Sequence, residues 1–139
     1  MAQGMALSQR TLLDKIRLSG YMVFMQQAAK LFKVLSEVTR LRILGLLQYG
    51  ELCVCDLMEV LDMPQSTVSR HLARLKECGL VQDRRSTVWS YYRLTEPDNE
   101  LHSKVLQALG QELAQTGQFQ NDRQSLQAFW ARKKDGHCA

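Results

Sequence analysis

No run of 18 apolar residues occurs in the 139-residue sequence, so no segment is expected to span a membrane. The amino terminus lacks the basic-then-apolar pattern of an export signal. That points to the cytoplasm, where thiols stay reduced. The four cysteines are then read as ligands, sensors or small buried residues, not as a disulfide framework. There is no internal repeat and no low-complexity stretch. Charge excess is also small: a net +4 permits nucleic-acid binding without demanding it. What remains is an ordinary globular composition, 45% hydrophobic and 23% charged, on a chain long enough for a real core.

The most informative stretch is residues 51–78, which reads as two short helices joined by a tight connection at Asp62–Gln65. Leu57, Val60 and Leu61 give the first helix its buried stripe. The second runs from Gln65 to about Cys78, with Pro64 just before it and Gln65 or Ser66 as its expected cap. Val68, Leu72 and Leu75 form its apolar stripe; Thr67, Arg70, His71 and Arg74 form a basic, hydrogen-bonding one. Ser66, Ser69 and Ala73 make a face of small residues that permits close approach to another surface. This is the pattern of a helix-turn-helix whose second helix suits the major groove. Charge supports it. Residues 63–93 carry six Lys/Arg against Glu77 and Asp83, while residues 48–62 carry Glu51, Asp56, Glu59 and Asp62 with no cation.

Around this centre, residues 1–20 read as an amphipathic helix or a loose extension, set apart by Gly20. A helix is expected from Met25 through Leu35, and another after a restart at Ser36–Thr39 that ends at Gly50. Glu51–Cys55 is expected to be extended, with Cys53 and Cys55 on one side. Leu80–Arg84 and Thr87–Leu94 read as a two-stranded wing with arginines near its tip. Pro97 closes it, and Leu101, Val105, Leu109 and Leu113 mark a final helix that packs on the first helix, on a second copy of the chain, or on both. The division expected is an extension at 1–20, a DNA-binding and dimerisation domain at 21–116, and a polar, basic tail at 117–139. The fold class is α+β and mostly helical, a winged helix-turn-helix whose terminal helices form a dimer interface.

Leu35-Ser36-Glu37, Thr39-Arg40-Leu41-Arg42-Ile43-Leu44, Glu51-Leu52-Cys53-Val54-Cys55-Asp56-Leu57 and Ser66-Thr67-Val68-Ser69-Arg70-His71-Leu72 together resemble the ArsR/SmtB family of metal-sensing repressors. The resemblance covers about residues 25–115. It implies a homodimer that represses its own operon until an inducer binds. The Cys-Val-Cys-Asp-Leu motif is similar to the arsenical-repressor branch, whose inducers are arsenite and antimonite. That branch often has a third cysteine where this chain has Met58. Family members often have proline at the position of Val38 and glycine in the wing turn, where this chain has Arg85-Ser86-Thr87.

Two cysteines at i and i+2 point apart on a helix but share one side of an extended segment, roughly 6.6 Å apart at the backbone. Cys55 also falls where a Ser or Thr would cap the first helix, a place that favours thiolate. Thiolates suit a soft ion. The ordinary alternative is two small buried residues bounding a strand. A third sulfur is expected from Cys138, beside Lys133, Lys134 and His137, with Cys78, the partner subunit or a solute thiol as alternatives. Cys78 and Arg84 have the Cys-x5-Arg spacing of a phosphatase loop, but Cys78 ends a helix instead of preceding one, so that match is coincidence. Zinc is not expected: Glu100 and His102 are half of a family zinc set, Leu113 stands where a second histidine belongs, and His102 is read as a surface residue.

The function expected is therefore not enzymatic. It is an arsenite- or antimonite-responsive repressor that binds double-stranded operator DNA, an inverted repeat, as a homodimer, with no organic cofactor. Gln65, Ser66, Thr67, Ser69, Arg70, His71, Arg74, Arg84 and Arg85 are its DNA-contact candidates, and Cys53, Cys55 and Cys138 its metalloid ligands. A thiol-redox repressor of the same fold is the alternative, and a plain nucleoid-binding module a third.

Overall fold

A computed structural model describes residues 7–133. Among them, α1 (Leu7–Leu35) runs through Gly20 without interruption, so the break expected there is absent. A helical glycine costs only about 1 kcal/mol relative to alanine. No proline or left-handed cap stands there to stop the chain: the positive-φ glycines are Gly50 and Gly79. Only the last turns of α1 are buried, through Leu31, Val34 and Leu35. Glu37 then caps α2 (Val38–Leu47), its carboxylate accepting the Arg40 amide at 2.9 Å. Ile43, Leu44, Leu46 and Leu47 of α2 lie in the centre of the core.

The extended segment is shorter than expected. β1 is Leu52–Cys53 alone, and α3 (Val54–Leu61) begins before Cys55. Asp62, left-handed at φ 52°, ends α3 and turns the chain into α4 (Gln65–Glu77). The α4 cap is Pro64, one residue before the expected position. Its carbonyl accepts the Thr67 and Val68 amides at 3.1 and 3.2 Å, so the helical ladder starts there. Gly79, at φ 76°, closes α4 in a Schellman turn: its amide meets the Lys76 carbonyl and that of Leu80 meets Leu75. Val68, Leu72 and Leu75 are fully buried against the core, as their spacing predicts.

β2 (Val81–Ser86) and β3 (Trp89–Leu94) form an antiparallel hairpin, and β1 adds a third strand through Leu52–Tyr92 and Cys53–Tyr91. The turn is Thr87–Val88, not Arg85–Ser86, because Thr87 takes the positive φ of 58° that a two-residue hairpin needs. Both arginines therefore stand within β2, opposite Tyr91 and Ser90. α5 (Glu100–Leu113) follows, capped by Asn99. Among the described residues beyond it, Thr116 caps a sixth helix, α6 (Gly117–Arg132). Its inner stripe of Phe119, Asp122, Leu126 and Phe129 lies over α2 and α3. The Asp122 carboxylate takes two hydrogen bonds from Arg42, at 2.8 and 2.9 Å, and one from Gln118 at 2.9 Å.

Candidate functional site

The two cysteines come together by a route different from the one expected. Cys53 is the extended N-cap of α3, at φ −73° and ψ 150°, and Cys55 lies in the first turn. The half-turn between them folds the sulfurs to the same side, 2.9 Å apart. Sulfurs about 2.3 Å from one tetrahedral ion lie about 3.8 Å apart. Cys53 is buried and Cys55 half-buried. On the Cys55 side lies a cavity of about 450 Å³ lined by Met58, Glu59, Asp62, Met63, Pro64 and Phe129. It reaches from Cys55 to Pro64, the cap of α4.

Behind the sulfurs sits a group that sequence reasoning missed. The Asp56 carboxylate accepts the Cys53 amide at 2.8 Å on one oxygen. Its other oxygen accepts Trp130 Nε1 at 3.2 Å and Lys133 Nζ at 2.8 Å, both from the end of α6. Side-chain exposure is 6% at Lys133 and 5% at Asp56, so the ion pair is out of water. Arg132 pairs with Glu59 at 3.1 Å one turn further along α3. The sequence hints at it only through three apolar residues, Leu126, Phe129 and Trp130, within the otherwise polar stretch after Gly117. Lys133, expected to make an electropositive setting for Cys138, has its side chain buried against Asp56 at the start of α3. Cys138 itself lies outside the described residues.

On α4, Gln65, Ser66, Arg70 and Arg74 are exposed, and Thr67 and Ser69 are half-buried. His71 does not share that face, which corrects the stripe read from spacing. Its side chain is 15% exposed and turns inward, with Nδ1 3.6 Å from the Glu37 carboxylate that caps α2. Burial acts to raise the Glu37 carboxyl. The Arg40 and Thr39 amides, with His71 nearby, outweigh it and hold the group below its usual range.

Arg84 is likewise engaged. It grips Glu51 with contacts of 2.5–2.9 Å and stacks on Tyr91 at 4.6 Å. The Arg84 guanidinium in turn holds the Glu51 carboxyl below the usual carboxylate range. Arg85 faces the other side of the strand and is exposed. His102, expected on the surface, is 4% exposed beside Leu106, and its Nε2 has no hydrogen-bond partner. Burial pushes its imidazole down against the pull of Asp98. Burial also pushes the Cys78 thiol up, against the pull of Lys30, which disfavours the thiolate a soft ion needs.

α1 leaves Leu12, Ile16, Leu18, Tyr21, Met22, Phe24 and Phe32 exposed. No helix among the described residues is long and apolar enough to cross a membrane.

Residues 37–83 match the model of a bacterial regulatory protein, arsR family. Over 67 residues the chain is 54% identical to the arsenical resistance operon repressor of Escherichia coli K12, covering 48% of this chain and 57% of that one. A second relative, arsenic resistance transcriptional regulator ArsR1 of Pseudomonas putida, is 50% identical over half its length. The chain thus spans little more than half the length of these two relatives. It covers more, 76%, of arsenic resistance transcriptional regulator ArsR2 of P. putida, at 46% identity over 60% of this chain. Among solved structures, the transcriptional repressor BigR of Xylella fastidiosa superposes with a TM-score of 0.55 at 32% identity, over 66% of this chain and 87% of that one. Reduced HlyU of Vibrio cholerae gives a TM-score of 0.57 at 29% identity, over 66% and 94%.

Proposed function

This chain belongs to the arsR family of bacterial regulatory proteins, and we propose that within it the chain is a repressor released from operator DNA by arsenite or antimonite. The observation that carries the reading is the convergence of the Cys53 and Cys55 sulfurs to 2.9 Å at the start of the helix that supports α4. A soft donor set of thiolates fits a thiophilic ion and excludes hard ones. Trivalent arsenic supplies the preference for three sulfurs in a pyramid. Cys53 and Cys55 would hold two of its bonds and Cys138 the third.

The sulfurs already converge, so the perturbation is not their being drawn together. It is a small parting of Cys53 from Cys55, which strains the Cys53 cap and tilts α3. α4 follows, since only Asp62–Pro64 separates the two helices. Near-complete release requires a bias of about 5.5 kcal/mol, enough to move a population from 1:99 to 99:1. On DNA, exposed Gln65, Ser66, Arg70 and Arg74, with half-buried Thr67 and Ser69, face the major groove, and Arg85 of the wing meets the backbone. The exposed apolar residues of α1, with α5, suit a second copy of the chain, and a two-fold dimer suits an inverted repeat.

Sulfur proximity also favours a second reading, a thiol-redox switch on the same residues. One experiment separates them: operator binding titrated with arsenite, zinc and peroxide side by side. Release by arsenite alone, lost in Cys53→Ser and Cys55→Ser, is expected. Release by peroxide alone would replace the metalloid reading with the redox one.

A further inference from the structure

Arg74 belongs to two surfaces. On α4 it follows Arg70 by one turn along the exposed face. It also lines a cavity of about 430 Å³ between α4, the end of α1 and the start of α2, whose other walls are Lys30, Lys33, Val34, Arg40 and Glu77. Four cations thus surround one carboxylate, in a groove continuous with the face read as meeting the major groove. The ion pairs among the described residues involve none of these four.

Helix ends put the cations there. The last carbonyls of a helix have no partner within it and carry its negative pole. Those of Lys33 and Val34, in the last turn of α1, accept from Arg40 at 3.5 and 2.5 Å. Two of the five guanidinium donors are used this way, and the rest stay available to an anion. Lys30 Nζ in turn donates to the Glu77 carbonyl at the end of α4, at 3.2 Å, which ties α1 to the reading helix. Lys33 and Arg74 are exposed, and Arg40 is half-buried. The charges are therefore spread over three helices but fixed to one another. A duplex backbone carries one charge about every 3.4 Å along each strand, so it can meet several of them in succession, which a single small anion cannot.

We propose that this groove is a second DNA contact, in which Lys33, Arg40 and Arg74 hold the phosphodiester backbone flanking the site where α4 enters the major groove. Such a contact sets the register of α4 on the duplex and carries no sequence preference of its own. It rests on the reading of α4 as the helix that meets the base edges.

The test is DNA binding by the full chain, read by fluorescence anisotropy across a salt series, with the operator and an unrelated duplex of equal length side by side. Lys33→Gln and Arg40→Gln should each flatten the slope of log affinity against log salt by about 0.9, and together by about 1.8. For each single change, the loss of affinity between about 50 and 200 mM salt becomes roughly 3.5-fold smaller. Both duplexes should weaken alike, so the ratio of their affinities stays where it was. Glu77→Gln, which removes the carboxylate of the groove, should tighten binding to both. An unchanged slope in Lys33→Gln, or weakening of the operator alone, overturns the proposal. So does weakening that tracks a loss of dimer in sedimentation runs, because the groove would then face a second copy of the chain. Lys33→Gln alters an exposed side chain and remains readable if Arg40→Gln, which releases the α1 carbonyls, fails to fold. The underlying reading fails differently: Arg70→Ala would leave operator affinity and preference unchanged.

Discussion

Neutralising Glu51 should strengthen DNA binding, and the wing geometry says by how much. Arg84 and Glu51 lie ion-paired on one face of β2, so together they carry no net charge toward a phosphate. Arg85, one residue on and facing the other way, carries a full charge. Each phosphate contact contributes about −0.9 to the slope of log affinity against log salt. Arg85→Ala should therefore flatten the slope by about 0.9, a roughly 3.5-fold smaller loss of affinity between about 50 and 200 mM salt. Glu51→Gln frees Arg84 and should steepen the slope by about the same amount. The double variant Glu51→Ala/Arg84→Ala removes a neutral pair and should leave the slope where it was. Fluorescence anisotropy with a labelled operator across a salt series measures all three. A full unit of change in the double variant, or none in Arg85→Ala, would refute the assignment of charge on the wing.

Three further outcomes follow from other parts of the molecule. In gel-shift titrations, Cys53→Ser and Cys55→Ser should each hold operator DNA and fail to release it on adding arsenite, whereas Cys78→Ser, whose thiol is held protonated by burial, should respond as wild type. Arg70→Ala should cost about 1–3 kcal/mol of operator affinity if it makes a bidentate base contact. His71→Ala, which turns toward Glu37, should cost under about 0.5 kcal/mol; equal losses would return His71 to the reading face. The folded protein holds the His102 imidazole below its ordinary value of 6.5, so the unfolded chain binds more protons just beneath that pH. Stability should thus be fully present above about pH 6.5 and fall as pH drops toward the depressed value. Thermal melts of His102→Gln should show a weaker fall, and an unchanged one would refute the argument.

Much of the reading centre was legible because its signals are local. Val68, Leu72 and Leu75 repeat at helical spacing, and alternation marks the strands; both need only neighbouring residues. The thiol pair was legible as a pair but not in its geometry. Cys-Val-Cys-Asp puts a carboxylate three residues after Cys53, and Asp56 binding back to the Cys53 amide starts the helix two residues earlier than an extended reading allows. Orientation around α4 and β2 failed where a distant acid decided it. Periodicity gives sectors of a helix, but His71 is settled by Glu37 and Arg84 by Glu51, on other elements. α6 was missed because its inner stripe contains Asp122. A carboxylate on an apolar seam reads as a break unless its partner is known, and that partner, Arg42, is 80 residues away.

These pairings change the meaning of the charge pattern that first pointed to DNA. Residues 48–62 carry four acids and no cation, a stretch that would repel a phosphate backbone beside the reading helix. In the fold, three of the four are met by cations from elsewhere: Glu51 by Arg84, Asp56 by Lys133 and Glu59 by Arg132. The segment after the helix-turn-helix loses some of its excess in the same way, since Arg84 is spent on Glu51 and Lys76 pairs with Asp83. The positive field is thereby reduced to Arg70, Arg74, Arg85 and Arg93, exposed on α4 and the two wing strands. α6 supplies two of the three cations that neutralise the α3 side. It follows that α6 does electrostatic service to the DNA face while Trp130 and Lys133 hold the Asp56 carboxylate at the start of α3. A change at the Asp56 junction that loosened Lys133 would bare a carboxylate on the DNA-supporting helix, so disturbance of the thiol site and loss of DNA affinity run in the same direction.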